Sequence, residues 1–247
     1  MTAKDKLIVA LDVDTSGRAL ALVEQLKDSV GMFKVGMQLF TAAGPDLVRR
    51  IVSQGSRVFL DLKDDDIPNT VALAAVEATR LGVSLFNIHT TGGSEMMKWT
   101  ANAVKETAAR ENLTPPKVLG VTLLTSIDQQ TLDEIRIDGQ PSTVVARLAK
   151  LAQESGLDGV VASAQEIALI RQAVPHTDFL VVTPGIRSAI DEAQDQRRTM
   201  TAAEAVRAGA DYVVVGRPII AAGDVAAAAR RFVTEIQTAL QARASQV

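Results

Sequence analysis

Eight short apolar or β-branched runs, each followed by a longer segment of helical period, constrain this chain more than any other feature. The runs are 7–11, 32–35, 57–60, 85–88, 118–123, 159–162, 179–182 and 212–215. Most are near-continuous rather than alternating, the pattern of parallel strands covered by helices. The segments 17–30, 45–54, 68–81, 93–110, 141–155, 164–173, 200–208 and 221–242 read as helices. In the first of them Ala19, Leu22, Val23 and Leu26 share one face. Parallel strands need right-handed crossovers, and the intervening helices supply them. Eight such units in 247 residues imply an α/β fold of the (β/α)8 TIM-barrel type rather than an open sheet. No Pro-, Gly- or Ser-rich linker interrupts the pattern, so residues 1–247 read as a single barrel domain. Its chemistry is expected at the C-terminal rim of the strands.

Composition narrows the function classes. A hydrophobic fraction of 47% is enough to fill a large core, and a net charge of −3 argues against a nucleic-acid surface. With no cysteine there are no disulfides, thiolate metal sites or cysteine nucleophile. His89 and His176 are the only histidines, which leaves almost no room for a multi-histidine metal site. Met1 to Lys6 lead directly into the first run without the apolar core of a signal peptide. No apolar run approaches a membrane span, so the expected location is cytoplasmic, with no membrane partner.

A barrel makes a directional prediction: polar residues should gather after the strands. Asp12 and Asp14 follow the first run, Lys34 lies within the second, and Asp61 and Lys63 follow the third. His89, Thr90 and Thr91 follow the fourth, Thr125 and Ser126 the fifth. Thr183 to Arg187 follow the seventh and Gly216-Arg217-Pro218 the eighth, while the sixth ends in the uninformative Ser163.

The stretch Asp61-Leu62-Lys63-Asp64-Asp65-Asp66 is the most informative of these. Strand alternation points Asp61 and Lys63 to one side and Leu62 to the other. A lysine among carboxylates keeps its proton and suits delivery to a carbon that is becoming an anion. A strand-end salt bridge is the plainer reading. Lys34 is costly to bury alone, and pairing with Asp61 or Asp12 satisfies either reading. His89 reads as a mouth or core histidine, His176 as solvated, and Trp99 and Tyr212 as packing residues. Gly92-Gly93 reads as a turn, because no Gly-Lys-Ser/Thr follows to make a P-loop.

Phosphate binding is suggested by the last two rim loops. Residues 183–199 carry Gly185, Arg187, Asp195, Gln196, Arg197 and Arg198, a connection long enough for a lid. Gly216 and Arg217 can offer a backbone N–H and a guanidinium fork at the usual phosphate position of such barrels. Gly216 as a simple turn and Arg217 as a solvated cation is the alternative; convergence with Arg187 and Gln196 favours phosphate. Arg197 and Arg198 read as surface or loop-anchoring charges.

Taken together, Leu11-Asp12-Val13-Asp14, Phe33-Lys34-Val35-Gly36, Asp61-Leu62-Lys63-x-x-Asp66-Ile67-Pro68-Asn69-Thr70, Leu124-Thr125-Ser126, Pro184-Gly185-Ile186-Arg187, Asp195-Gln196-Arg197-Arg198 and Gly216-Arg217-Pro218 resemble the orotidine 5′-phosphate decarboxylase family. The resemblance runs from residue 7 to about 240. Asp-x-Lys-x-x-Asp is shared with sugar-phosphate relatives; its extension through Thr70 is more specific. The resemblance implies cofactor-free, metal-free conversion of orotidine 5′-phosphate to uridine 5′-phosphate, the last step of pyrimidine nucleotide synthesis. It implies Lys63 as proton donor, with Asp61 and Lys34 in its charge array and Asp66 reaching in from the partner of a homodimer. Asp12, Lys34 and Thr70 are implied at the ribose, Thr70 again across the interface. Thr125 and Ser126 are implied at the pyrimidine, and Arg187, Gln196, Gly216 and Arg217 at the phosphate.

The chain departs from the family after Lys63. An apolar or aromatic residue and then histidine or a small residue are common there; this chain has Asp64 and Asp65. They read either as solvated carboxylates near the start of the next helix or as added negative potential that perturbs the site. Two other functions compete: a magnesium-dependent sugar-phosphate decarboxylase or aldolase on the same barrel, and a non-catalytic barrel that binds a phosphorylated ligand.

Overall fold

In the computed structural model the described residues are 1–187 and 200–244. The apolar runs become β1 (Leu7–Ala10), β2 (Met32–Gly36), β3 (Val58–Asp64), β4 (Leu85–His89), β5 (Lys117–Val121), β6 (Gly159–Val161) and β7 (Leu180–Thr183). Two short strands, β8 (Ile186–Arg187) and β9 (Met200–Thr201), pair with each other before β10 (Tyr212–Val215). Among the described residues, eight parallel strands close in the order β1-β10-β7-β6-β5-β4-β3-β2. Closure joins the two ends of the ladder, with Leu7 opposite Val213 and Val9 opposite Val215.

The helices are α1 (Ser16–Leu26), α2 (Met37–Ser53), α3 (Pro68–Arg80), α4 (Gly93–Glu111), α5 (Gln129–Glu134), α6 (Pro141–Glu154), α7 (Ile167–Ala173), α8 (Ala202–Ala208), α9 (Arg217–Ile220) and α10 (Val225–Ala244). Local chemistry sets several starts. Pro68 and Pro141 open α3 and α6, where a missing N–H costs nothing. Thr201 and Glu204 form a reciprocal capping box on α8. α2 begins earlier than the 45–54 expected from sequence. It runs through a kink at Gly44, whose φ of 66° precedes Pro45. Proline lacks the N–H that would continue the ladder, so the sequence pattern reveals only the second half of the helix.

Alternation divides the core in two. Val9, Phe33, Leu60 and Phe86 face the helices, while Ile8, Met32, Phe59, Leu85, Leu119 and Tyr212 fill the barrel. Tyr212 is buried, as expected, but Trp99 is 47% exposed. Met96, Met97, Thr100, Ala101 and Val104 form the buried face of α4, which leaves position 99 turned outward. No helix among the described residues is long and apolar enough to cross a membrane.

Candidate active site

Above the apolar plug the inward positions turn polar. Two residues beyond Met32, Phe59 and Leu85, the strands present Lys34, Asp61 and Asn87. Lys34 Nζ lies 3.2 Å from Asp61 Oδ2 and 3.3 Å from Asp12 Oδ1. Lys63 Nζ lies 2.7 Å from Asp61 Oδ1, and Asn87 Nδ2 donates to that same oxygen at 2.7 Å. Asp61 is thus the hub, only 8% exposed, with an ammonium against each carboxylate oxygen.

Burial alone would push the Asp61 carboxyl up. The charges of Lys34 and Lys63, with hydrogen bonds from Lys63 and Asn87, outweigh it and hold the carboxyl below its ordinary range. Burial likewise works against the Lys34 ammonium, and the carboxylates of Asp61 and Asp12 hold it above its usual value. Both groups stay ionised at neutral pH. Charge fixed in this way needs no reorganisation when a substrate changes its own charge.

β3 extends four residues beyond the apolar run and contains Asp61 and Lys63 rather than preceding them. As alternation predicts, Asp61 and Lys63 share one side while Leu62 packs among the helix-facing residues. Lys63 has a φ of 58°, in the left-handed region, and the β3–β4 register shifts between Leu60 and Asp64. The Lys63 ammonium meets Asp61 from within this bulge. Its backbone N–H donates to Asn87 Oδ1 at 2.9 Å. Sequence reasoning does not single out Asn87; the available signal is an amide inside the otherwise apolar Leu85 to Ile88.

A cavity of about 210 Å³ opens on the array, lined by Asp12, Lys34, Asp61, Gly185, Gly216 and Arg217 among others. An adjoining cavity of about 170 Å³ shares Asp12, Lys34 and Asp61 and reaches Lys63. A Cβ on Gly216 would stand 3.2 Å from Asp12 Oδ2, so the bare backbone leaves this corner open. The first, second, third and eighth barrel strands therefore bring Asp12, Lys34, Asp61, Lys63, Gly216 and Arg217 to one mouth.

Four of the remaining expected residues line neither cavity. Thr125 and Ser126 form a turn beyond β5 and line neither cavity. Asp66 and Thr70 are exposed and also line neither; Asp66 Oδ1 accepts from the N–H of Ile67 at 2.7 Å. The Arg187 backbone pairs with Thr201. Gln196, with Asp195, Arg197 and Arg198, lies outside the described residues, as does the Arg187 side chain. Asp14 pairs with Arg18 at 3.1 Å on the surface. His176 is exposed, whereas His89 is half-buried at the rim, where burial holds its imidazole below the usual value.

The two additional aspartates have separate surroundings. Asp64 is half-buried in β3 opposite Ile88, and burial raises its carboxyl. Asp65 is exposed and accepts a 3.5 Å hydrogen bond from Thr91 Oγ1. Among the described residues, no group of three or more His, Asp or Glu side chains is arranged to hold a metal ion.

Comparison with known proteins agrees with this geometry. The sequence matches the profile of the Orotidine 5′-phosphate decarboxylase / HUMPS family over residues 5–232. It is 53% identical over 239 residues to the orotidine 5′-phosphate decarboxylase of Syntrophotalea carbinolica, covering 97% of this chain and 98% of that one. Identity to the corresponding protein of Geobacter sulfurreducens is 54% over 235 residues, covering 95% and 97%. The crystal structure of orotidine 5′-phosphate decarboxylase from Lactobacillus acidophilus superposes with a TM-score of 0.82 at 37% identity, covering 93% of this chain and 98% of the other. With likeness of this extent in both sequence and structure, the chain belongs to the Orotidine 5′-phosphate decarboxylase / HUMPS family.

Proposed function

We infer that this chain decarboxylates orotidine 5′-phosphate to uridine 5′-phosphate without a metal or organic cofactor, the closing step of pyrimidine nucleotide synthesis. The observation that carries the reading is the Lys34–Asp61–Lys63 array, with each ammonium on a different oxygen of one buried carboxylate. The bond from C6 to the carboxyl group breaks and leaves its electron pair in the ring plane, where no π system absorbs it. Lys63 supplies positive charge beside C6 as the anion develops, and its proton then moves to that carbon. Carbon dioxide leaves, and the lysine recovers a proton from water. Asp12 and Lys34 serve the ribose hydroxyls, Thr125 and Ser126 the pyrimidine, and Arg187, Gln196, Gly216 and Arg217 the phosphate. Phosphate binding far from C6 contributes to the chemical step by holding the ring against the array.

The carboxylates of Asp12 and Asp61 are turned onto ammonium groups. A magnesium-dependent sugar-phosphate enzyme needs carboxylates free for the cation, so this favours the decarboxylase reading. A phosphorylated substrate does not cross membranes freely, which fits a cytoplasmic enzyme.

The reading includes a homodimer. Asp66 and Thr70 are exposed beside Ile67 and Leu73, which are 67% and 58% exposed. Pairing this surface with a second copy covers the apolar side chains and carries Asp66 and Thr70 to the partner's ribose and lysine. Mixing Lys63→Ala and Asp66→Asn subunits should regenerate one intact site in each mixed dimer, about a quarter of full activity at equal mixing. No recovery while mixed dimers form would overturn the shared site.

The direct test follows orotidine 5′-phosphate absorbance with purified protein and a chelator present. Loss of absorbance with uridine 5′-phosphate formed is expected, and Lys63→Ala should reduce it by about 10²–10⁴-fold or more. Activity that requires added magnesium, or that appears only with sugar phosphates, would overturn the assignment.

A further inference from the structure

We propose that Asn87 is a positioning residue that fixes where the Lys63 ammonium stands; this rests on Lys63 being the proton donor. Asn87 is fully buried in the middle of β4. An amide in such a place is costly unless its polar atoms are satisfied. Among the described residues its side chain has two partners, both on β3. Nδ2 donates to Asp61 Oδ1 at 2.7 Å, and Oδ1 accepts the Lys63 N–H at 2.9 Å.

These partners also fix the orientation of the amide. An ionised carboxylate only accepts and a backbone N–H only donates, so the reversed amide would lose both bonds. Asn87 therefore reads two parts of β3 at once, the hub carboxylate and the backbone of the lysine.

The backbone contact is the more consequential. Leu60 pairs with Phe86 and Asp64 with Ile88, so the bulge places extra residues of β3 opposite Asn87 alone. Within it, Lys63 is held at a φ of 58°, a conformation that a side chain with a Cβ adopts only when its surroundings impose it. A ladder carbonyl cannot receive the displaced N–H, and the Asn87 side chain takes its place. Releasing that bond frees the backbone to relax toward ordinary extended geometry, which swings Cβ and the ammonium away from Asp61.

Asn87→Ala and Asn87→Asp separate this role from simple core filling. Asn87→Ala should lower kcat by about 10²-fold, the scale of a roughly 1 Å misplacement. Its KM for orotidine 5′-phosphate and Kd for uridine 5′-phosphate should stay within about threefold, because ground-state contacts remain. Asn87→Asp adds a carboxylate beside Asp61 at neutral pH and should be at least as impaired. Once protonated, the introduced carboxyl again has one donor and one acceptor. The ratio of Asn87→Asp to Asn87→Ala turnover should therefore rise as pH falls. A void in the core gives no such pH dependence.

The titratable groups facing this position are Asp61, Lys63 and Lys34, with His89 and Asp64 near the same rim. Control profiles of His89→Gln and Asp64→Asn assign the limb that belongs to position 87. A kcat of Asn87→Ala within twofold of the parent, or a flat ratio with pH in soluble, nucleotide-binding protein, overturns the proposal. Lys63→Ala measured alongside keeps the two readings apart: retained turnover there refutes the donor, whereas its loss with normal Asn87→Ala turnover refutes only the positioning role.

Discussion

A Cβ on Gly36 would stand 2.9 Å from Lys34 Nζ. The glycine at the end of β2 thus leaves the space in which the ammonium reaches Asp12 and Asp61. Because the obstructed atom is the tip of a flexible side chain, Gly36→Ala should fold with nearly unchanged thermal stability. It should nevertheless displace Lys34 and lower kcat/KM by about 10-fold or more, toward the 10²-fold scale of an ångström-level misplacement. Thermal melting and steady-state kinetics on the same preparation check both halves; unchanged kcat/KM would refute the spatial argument.

Asp64 should make the protein more stable in mild acid than its other carboxylates suggest. Burial raises this carboxyl above its ordinary value of 3.8, so the folded state holds the proton more tightly than the unfolded chain. Stability therefore falls as pH rises from 3.8 through the folded value and stays lower above it. Asp61 has the opposite sign: its lowered carboxyl contributes stability above 3.8 that is lost as pH falls through the folded value. Asp64→Asn should melt higher than the parent at neutral pH, and the difference should close as pH falls through the raised folded value toward 3.8. A domain of this size shifts by about 2–4 °C per kcal/mol, so melting curves across pH resolve the effect. A difference independent of pH would contradict it.

Arg217 at the head of α9 should act through the phosphate. Removing a hydrogen bond to a charged group costs about 1.5–3 kcal/mol, so Arg217→Ala should weaken substrate binding by about 10–100-fold. Against orotidine, which lacks the phosphate, variant and parent should perform alike. Equal losses with both substrates would remove the assignment.

The paired change Asp64→Phe with Asp65→His tests the departure from the family. Two carboxylates near the array add negative potential against an anionic substrate. The double variant should bind orotidine 5′-phosphate several-fold more tightly at low ionic strength, with the advantage fading as the screening length shrinks to about 3 Å at 1 M salt. Identical binding at low salt would show that Asp64 and Asp65 are electrostatically silent.

How much of this was legible beforehand depends on the distance over which each feature is specified. The barrel strands are written locally, in runs such as Tyr212–Val215, and the observed strand has those same limits. β3 was harder to delimit: Asp61 and Lys63 interrupt its apolar character although both belong to the strand. That Lys34 would need carboxylates could be deduced from the cost of burying it, and Asp12 and Asp61 are the partners found. The bulge could not be deduced, because it depends on an amide contributed by the next strand. The short α5 and α9 have too few turns to display a helical period.

The corner where Gly216 approaches Asp12 has a consequence for the enzyme's birth on the ribosome. These residues come from opposite ends of the chain and meet only when β10 pairs with β1. Strands β1 to β4 can find their sequential neighbours early, but the substrate mouth has no second wall until the final strand has been synthesised. Closure at such sequence separation is the slow, late event of folding. The mouth is therefore not acquired by degrees: a chain cut before Tyr212 lacks both the strand that pairs with β1 and the Gly216-Arg217 wall that stands opposite Asp12.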